Sequence, residues 1–226
     1  DESSTSAPAD GVRTVSSAST VDLFTTGYGT DGQRSLGYAL SLSADGIGSG
    51  LFALDPTNAT AGSIGKGSQV LLYNNSGTIE GRTGSSTGTL YFTISVNNDS
   101  NSSNFGKLSF AQSANVWHPN TGSSDEAVTL TLAAGDSLRL TQTATDLDGD
   151  SASAFVELGA NAFKIEDDGP AVSTSGTTLS ALVLDESSTS APADGVRTVS
   201  SASTVDLFTT GYGTDGQRSL GYALSL

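Results

Sequence analysis

Residues 35–42, Ser-Leu-Gly-Tyr-Ala-Leu-Ser-Leu, decide the fold. Leu36, Tyr38, Leu40 and Leu42 fall on every second position with small or polar residues between them. Side chains of an extended chain point alternately to opposite faces, so this spacing puts the large apolar groups on one face of a strand. The same period returns in Leu90, Phe92, Ile94 and Val96. Shorter runs follow it: Leu108 with Phe110; Val128, Leu130 and Leu132; Leu138 with Leu140; Phe155 with Glu157; Phe163 with Ile165. Between the runs stand the dipeptides Asp10-Gly11, Asp31-Gly32, Asp45-Gly46 and Ser76-Gly77, which supply the tight or positive-φ geometry of a strand reversal. No segment of twelve residues carries helical periodicity. The expected class is therefore all-β, an antiparallel sandwich of the immunoglobulin-like kind.

Composition bounds what such a sandwich can do. The 226 residues contain 9 Lys and Arg against 24 Asp and Glu, a formal charge of −15 and a pI near 4.1. A protein that binds nucleic acid through its phosphates needs a basic face, so no nucleic-acid partner is expected. Glycine included, the apolar share is about 47%, in the range of soluble globular domains, and only 15% of residues are charged. That combination is not the signature of disorder. Without cysteine there is neither a disulfide, a thiolate metal site nor a cysteine nucleophile. No apolar run approaches the roughly 18 residues that span a bilayer, so no direct membrane insertion is expected. The chain has no Met and begins at Asp1 without a charged-then-apolar leader, which reads as a fragment of a longer polypeptide.

The segment 1–42, from Asp1-Glu2 to Ser41-Leu42, recurs letter for letter at 185–226. The period is 184 residues, so the chain holds one full unit, 1–184, and the start of an identical second unit, 185–226. The full unit is one sandwich or two smaller ones, with a boundary near 169–184. Arrays of this kind are extended, each unit touching mainly its neighbours. Residues 185–226 are expected to pack against the first unit or a neighbouring molecule. A strand within 171–184 completes the preceding sandwich or starts the next. The polar stretch 97–104, NNDSNSSN, reads as an exposed hairpin loop. Four Asn-x-Ser/Thr sequons, at Asn58, Asn74, Asn98 and Asn101, arise from composition and carry no functional weight.

Asp146-Leu147-Asp148-Gly149-Asp150 is the strongest local motif, with three carboxylates at alternate positions around a glycine bend. Calcium takes six to eight oxygen ligands at about 2.3–2.6 Å, and three like charges this close are unfavourable without a counter-ion. An ordinary acidic turn is the alternative. As a twelve-residue EF-hand loop the motif fails, because position six is Ser151 rather than Gly and both flanks are strand-like, although Glu157 falls at position twelve. Two further acidic clusters lie near the junction of the units: Glu166-Asp167-Asp168-Gly169-Pro170 and Asp185-Glu186. An ion drawing ligands from adjacent units would replace repulsion with a crosslink; solvated charge at strand ends is the other reading.

Taken in order, VLDESS, SLGYALSLSADGIGSGL, TIEGRTG, LYFTISV, VWHPNTGSSDEAVTL, TATDLDGDSASA and FKIEDDGPAV resemble the repeat domain of giant RTX adhesins. These are bacterial surface proteins exported by type I secretion. The resemblance spans nearly the whole 184-residue unit, and HPNTG, DLDGDSASA and DDGP are its most specific part. It implies an extender: a rod of β-sandwich units, rigidified by calcium at its joints, that projects a distal ligand-binding region for adhesion and biofilm formation. It also implies a secreted, cell-surface location, adjacent repeats of the same polypeptide as partners, and ligand contacts made by other domains. By the same resemblance, Asp148, Asp150, Asp167, Asp168, Asp185 and Glu186 are metal ligands, beside Asp146 of the motif itself. The glycine-rich nonapeptide calcium repeats of the family are absent, and GYGTD at 27–31 is a single partial echo of them.

An enzyme is not expected. His118, the sole histidine, sits in Trp117-His118-Pro119 and reads as part of a structural turn, and no G-x-S-x-G nucleophile elbow occurs. Carboxylate pairs abound, but 7% aromatic residues and a lone Trp leave little to line a sugar cleft. The second reading is a calcium-dependent carbohydrate-binding sandwich, which calcium-dependent hits on a glycan array would favour over the spacer.

Overall fold

A computed structural model describes residues 13–19, 23–123, 126–159, 161–180, 182 and 207–225. Among them the chain is all-β and antiparallel. The strands are β1 (Arg13–Ser19), β2 (Gln33–Leu42), β3 (Ile47–Leu54), β4 (Lys66–Asn75), β5 (Thr78–Thr83), β6 (Leu90–Val96), β7 (Lys107–Gln112), β8 (Ala127–Thr129), β9 (Leu138–Asp146), β10 (Ser151–Glu157), β11 (Lys164–Glu166), β12 (Ala171–Thr174) and β13 (Phe208–Gly211). A six-stranded sheet runs β1-β7-β6-β5-β4-β3, in which β3 to β7 form a meander and β1 joins its far edge. A three-stranded sheet, β10-β9-β2, packs on it, with β2 lying across β4, β5 and β6. This is a β-sandwich, the class the alternating runs require.

The core lies where the two inner faces meet. Tyr38 and Leu40 of β2, Leu138 and Leu140 of β9, Val70 and Leu72 of β4, Ile79 of β5, Phe92 and Ile94 of β6 and Phe110 of β7 are all buried. Each such side chain contributes about 1.5–3 kcal/mol relative to exposure. Phe92 stacks edge-on against Phe110 at 5.4 Å, and Phe110 in turn meets Phe163 at 5.3 Å. Opposite Phe92 stands Gly81 of β5, where a Cβ would lie 2.4 Å from the ring. Only glycine leaves that aromatic its place. Buried Gln142 is satisfied: Thr26 Oγ1 donates to its Oε1 at 2.6 Å and its Nε2 donates to Tyr38 Oη at 3.0 Å.

Ser76-Gly77 makes the two-residue reversal between β4 and β5, with φ of 53° and 91°, the double left-handed geometry that suits the twist of the flanking strands. Asp10-Gly11 lies outside the described residues. The loop after β6 is not merely a solvated tip. Asn98 Oδ1 accepts from Tyr38 N at 2.7 Å and its Nδ2 donates to Tyr38 O at 2.5 Å, so one side chain closes the free edge of β2 and ties the sheets together. Phe155 also departs from the expected pattern. It is 54% exposed on the edge strand β10, beneath the Arg139 guanidinium at 4.3 Å, while Val156 packs against the core.

The 171–184 segment contributes β12, which joins neither large sheet. It pairs with β13, residues of the second copy, in register Ala171 with Gly211 to Thr174 with Phe208.

Candidate functional site

The DLDGD motif is the connection between β9 and β10, so strands flank it on both sides. Asp146 N donates to Asp150 O at 3.0 Å, and Gly149, at φ +106°, takes the left-handed position of the bend. Asp146 Oδ1 accepts from the amides of Gly149 at 3.1 Å and Asp150 at 2.9 Å. This is the habit of Asp in turns, a side chain standing in for a backbone acceptor. Leu147 N donates to Gly32 O at 3.1 Å and so seats the Asp31-Gly32 turn against the motif.

That seating brings Asp31, Asp146 and Asp148 together, one carboxylate oxygen from each within 4.8 Å of the others. The hydrogen bond with the Asp148 carboxyl is the main cause holding Asp146 below the ordinary carboxylate range, and the same bond pushes Asp148 up. The two carboxyls thus act on each other, and a cation bound between them would offset the repulsion that Asp146 exerts on Asp148. The donor set is all oxygen and anionic, which fits a hard ion such as calcium. Gly27, Tyr28 and Gly29 line a cavity of about 190 Å³ with Asp146 and Asp150. The GYGTD echo and the DLDGD turn are therefore neighbours. An internal cation is also close: Arg34 Nη1 lies 3.7 Å from where a Cβ on Gly149 would stand.

Asp150 lines that cavity, but its carboxylate is not one of the three that converge. Glu157 pairs across the hairpin with Arg139 at 2.7 Å. Asp31 escaped the sequence reading because its part depends on how the 29–32 turn docks.

A second cluster forms where β11 ends. Asp167 N donates to Glu126 O at 2.9 Å, extending the β8–β11 ladder by one step, and this brings Asp167 to Glu126 and His118. The three offer ligand atoms within 4.8 Å of one another, and all three are half-buried. Burial pushes the His118 imidazole below its ordinary pKa and outweighs the opposing charges of Asp167 and Glu126. His118 and Glu126 were not read as site residues; 49 positions separate His118 from Asp167 along the chain, and the sheet register decides that they meet.

Asp168 faces the second copy instead. Its Oδ2 accepts from Thr214 N at 3.0 Å, and its own amide donates to Asp167 Oδ1 at 2.9 Å. Nearby, Asn115 Nδ2 donates to Asp215 Oδ1 at 3.0 Å and Arg218 Nη1 to Asn58 O at 3.3 Å. Asp185 and Glu186 lie outside the described residues.

A two-sheet antiparallel sandwich, with carboxylate clusters at its turns and a duplicated segment docked on its end, defines a repeat-type β-sandwich module. Residues 1–159 match the family described as a domain of unknown function (DUF5801), and the chain belongs to that family. No curated protein and no solved structure matches it.

Proposed function

We propose that the chain is a non-catalytic, calcium-stiffened extender from an RTX-type adhesin, secreted by a type I system and held at the bacterial surface. Its partners are the adjacent repeats of the same polypeptide; attachment and biofilm formation fall to a distal region that the rod projects. The observation that carries this reading is the contact between copies. β13 of the second copy completes a two-stranded sheet with β12, and Thr214 of that copy donates to Asp168 of the DDGP segment. Sequence from one repeat thus fastens to acidic residues at the end of the one before, where length is added to a rod. Calcium has two places to act: the Asp31, Asp146 and Asp148 turn, where it would neutralise three converging carboxylates, and the Asp168 joint.

The test is small-angle scattering on several tandem units. Salt screens charge repulsion over about 8 Å at physiological ionic strength, whereas coordination is not replaced by screening. Chelation is expected to broaden the distance distribution, and millimolar calcium to restore a rod-like profile that sodium of equal ionic strength does not. Full recovery in sodium would sink the calcium-joint mechanism.

A further inference from the structure

His118, Glu126 and Asp167 carry an anomaly that calcium does not explain. Both ring nitrogens of His118, and Oε2 of Glu126, are shielded from solvent and make no well-formed hydrogen bond among the described residues, although the Glu126 backbone lies close enough to the imidazole to favour its charged form. A buried polar atom without a partner costs about 1–3 kcal/mol, and one ion can partner Glu126 Oε2 together with a single His118 ring nitrogen, leaving the other nitrogen to the Glu126 backbone. The other oxygens are already held. Asn120 N donates to Glu126 Oε1 at 2.8 Å, and Asp168 N donates to Asp167 Oδ1 at 2.9 Å. Backbone amides thus orient each carboxylate through one oxygen, as outer-shell donors do around a metal.

We propose that His118, Glu126 and Asp167 bind a divalent first-row transition ion, zinc being the occupant, beside the contact between the two copies. The imidazole decides the class of ion. Calcium and magnesium take oxygen, whereas an imidazole nitrogen with two carboxylates suits zinc. Two ligands each about 2.0–2.2 Å from one ion stand roughly 3–4 Å apart, so ligand atoms within 4.8 Å need only small side-chain movements to close on it. Two carboxylates balance the charge of the ion, and water completes the coordination. His118 and Asp167 border a cavity of about 240 Å³ shared with Trp117 and with Asp215 and Arg218 of the second copy, which provides a way in. This site is independent of the calcium reading and stands if that reading fails.

Calorimetric titration of the 226-residue chain with zinc chloride tests it. One saturable event per chain is expected, weakened by about 100-fold or more in His118→Gln, beyond the 10–100-fold typical of losing an outer-shell partner. Glu157→Gln, a carboxylate exchange elsewhere, is expected to leave it intact, and millimolar calcium is expected not to displace the zinc. Equal affinity in His118→Gln, or displacement by calcium, overturns the proposal. Should that variant fail to fold, the unsubstituted chain still decides: its single histidine gives one set of imidazole NMR signals, which zinc must shift, and signals that do not move overturn the site.

Discussion

Residues 23–42 and 207–226 have the same sequence and, over the described residues, different structures. In the first copy Gln33–Leu42 is a ten-residue strand paired with β9 along its whole length, with Tyr38 5% and Leu40 3% exposed. In the second, residues 217–225 belong to no strand, and Tyr222 and Leu224, the counterparts of Tyr38 and Leu40, are 51% and 105% exposed. The order reverses upstream. Phe208–Gly211 is strand β13, whereas its counterpart 24–27 is irregular. One feature is common to both: Phe24 meets Tyr38 at 6.3 Å and Phe208 meets Tyr222 at 6.0 Å. Local contacts survive duplication, and strand identity does not. An alternating pattern offers a strand, and a partner edge accepts it.

The sharpest way to break that contrast is one substitution made in each copy. Leu40→Ala removes a side chain from the sealed core and is expected to lower stability by about 2–5 kcal/mol; Leu224→Ala is expected to stay within about 0.5 kcal/mol, both read by urea unfolding. In a chain extended beyond 226 by the sequence of 43–184, Leu224→Ala should become as costly as Leu40→Ala. If it stays silent there, the second copy is not short of a partner and the comparison fails.

A smaller effect separates the acidic groups. Asp31 stands with Asp146 and Asp148, while its counterpart Asp215 binds Asn115. Asp31→Asn should cut the calcium-induced rise in melting temperature by about 2–4 °C, the shift that roughly 1 kcal/mol gives a domain of this size. Asp215→Asn should leave the rise unchanged. Equal losses would mean that calcium acts on general charge.

The smallest concerns a pair outside the duplicated segment. Arg82 Nε donates to Glu80 Oε2 at 2.6 Å, and this bond, ahead of that from Asn75, holds the Glu80 carboxyl below its ordinary range. A depressed folded-state pKa contributes stability above the unfolded value and loses it as pH falls through the folded one. Glu80→Gln should therefore cost about 0.5–1 kcal/mol at neutral pH and nothing once acid has protonated Glu80. An undiminished cost in acid would show that the amide disturbs packing rather than charge.

Much of the sandwich was legible because its inner faces obey the period of two: Tyr38 with Leu40, Phe92 with Ile94 and Leu138 with Leu140 are all buried. Phe155 misled because β10 is an edge strand with little beyond it to cover an outward ring. The DLDGD turn was legible as a local feature, three carboxylates within five residues. Asp31, His118 and Glu126 were not, since each joins its cluster through the docking of segments distant in the chain. Asn98 was hidden for a related reason: a polar residue in a polar loop gives no sign that a bare strand edge waits opposite it.

The pairing of β2 with β9 also bears on how an array assembles. To join β9, the first copy must close a loop over 43–137, whereas its duplicate at 217–226 would close the shorter loop over 147–216. Loop-closure entropy differs between the two by only about 0.3 kcal/mol, and in favour of the duplicate. Chain connectivity therefore does not choose between identical suitors for one seat. The rightful strand is distinguished by what continues from it: Ser43 N bonds to Ser137 O, and Gly46 N to Leu72 O as the chain turns into β3. In a row of identical units the neighbour's strand is followed by the same turn. What holds each strand at home is that its turn leads at once into β3 of the same sandwich, and a borrowed strand would have to bring its own β3 with it.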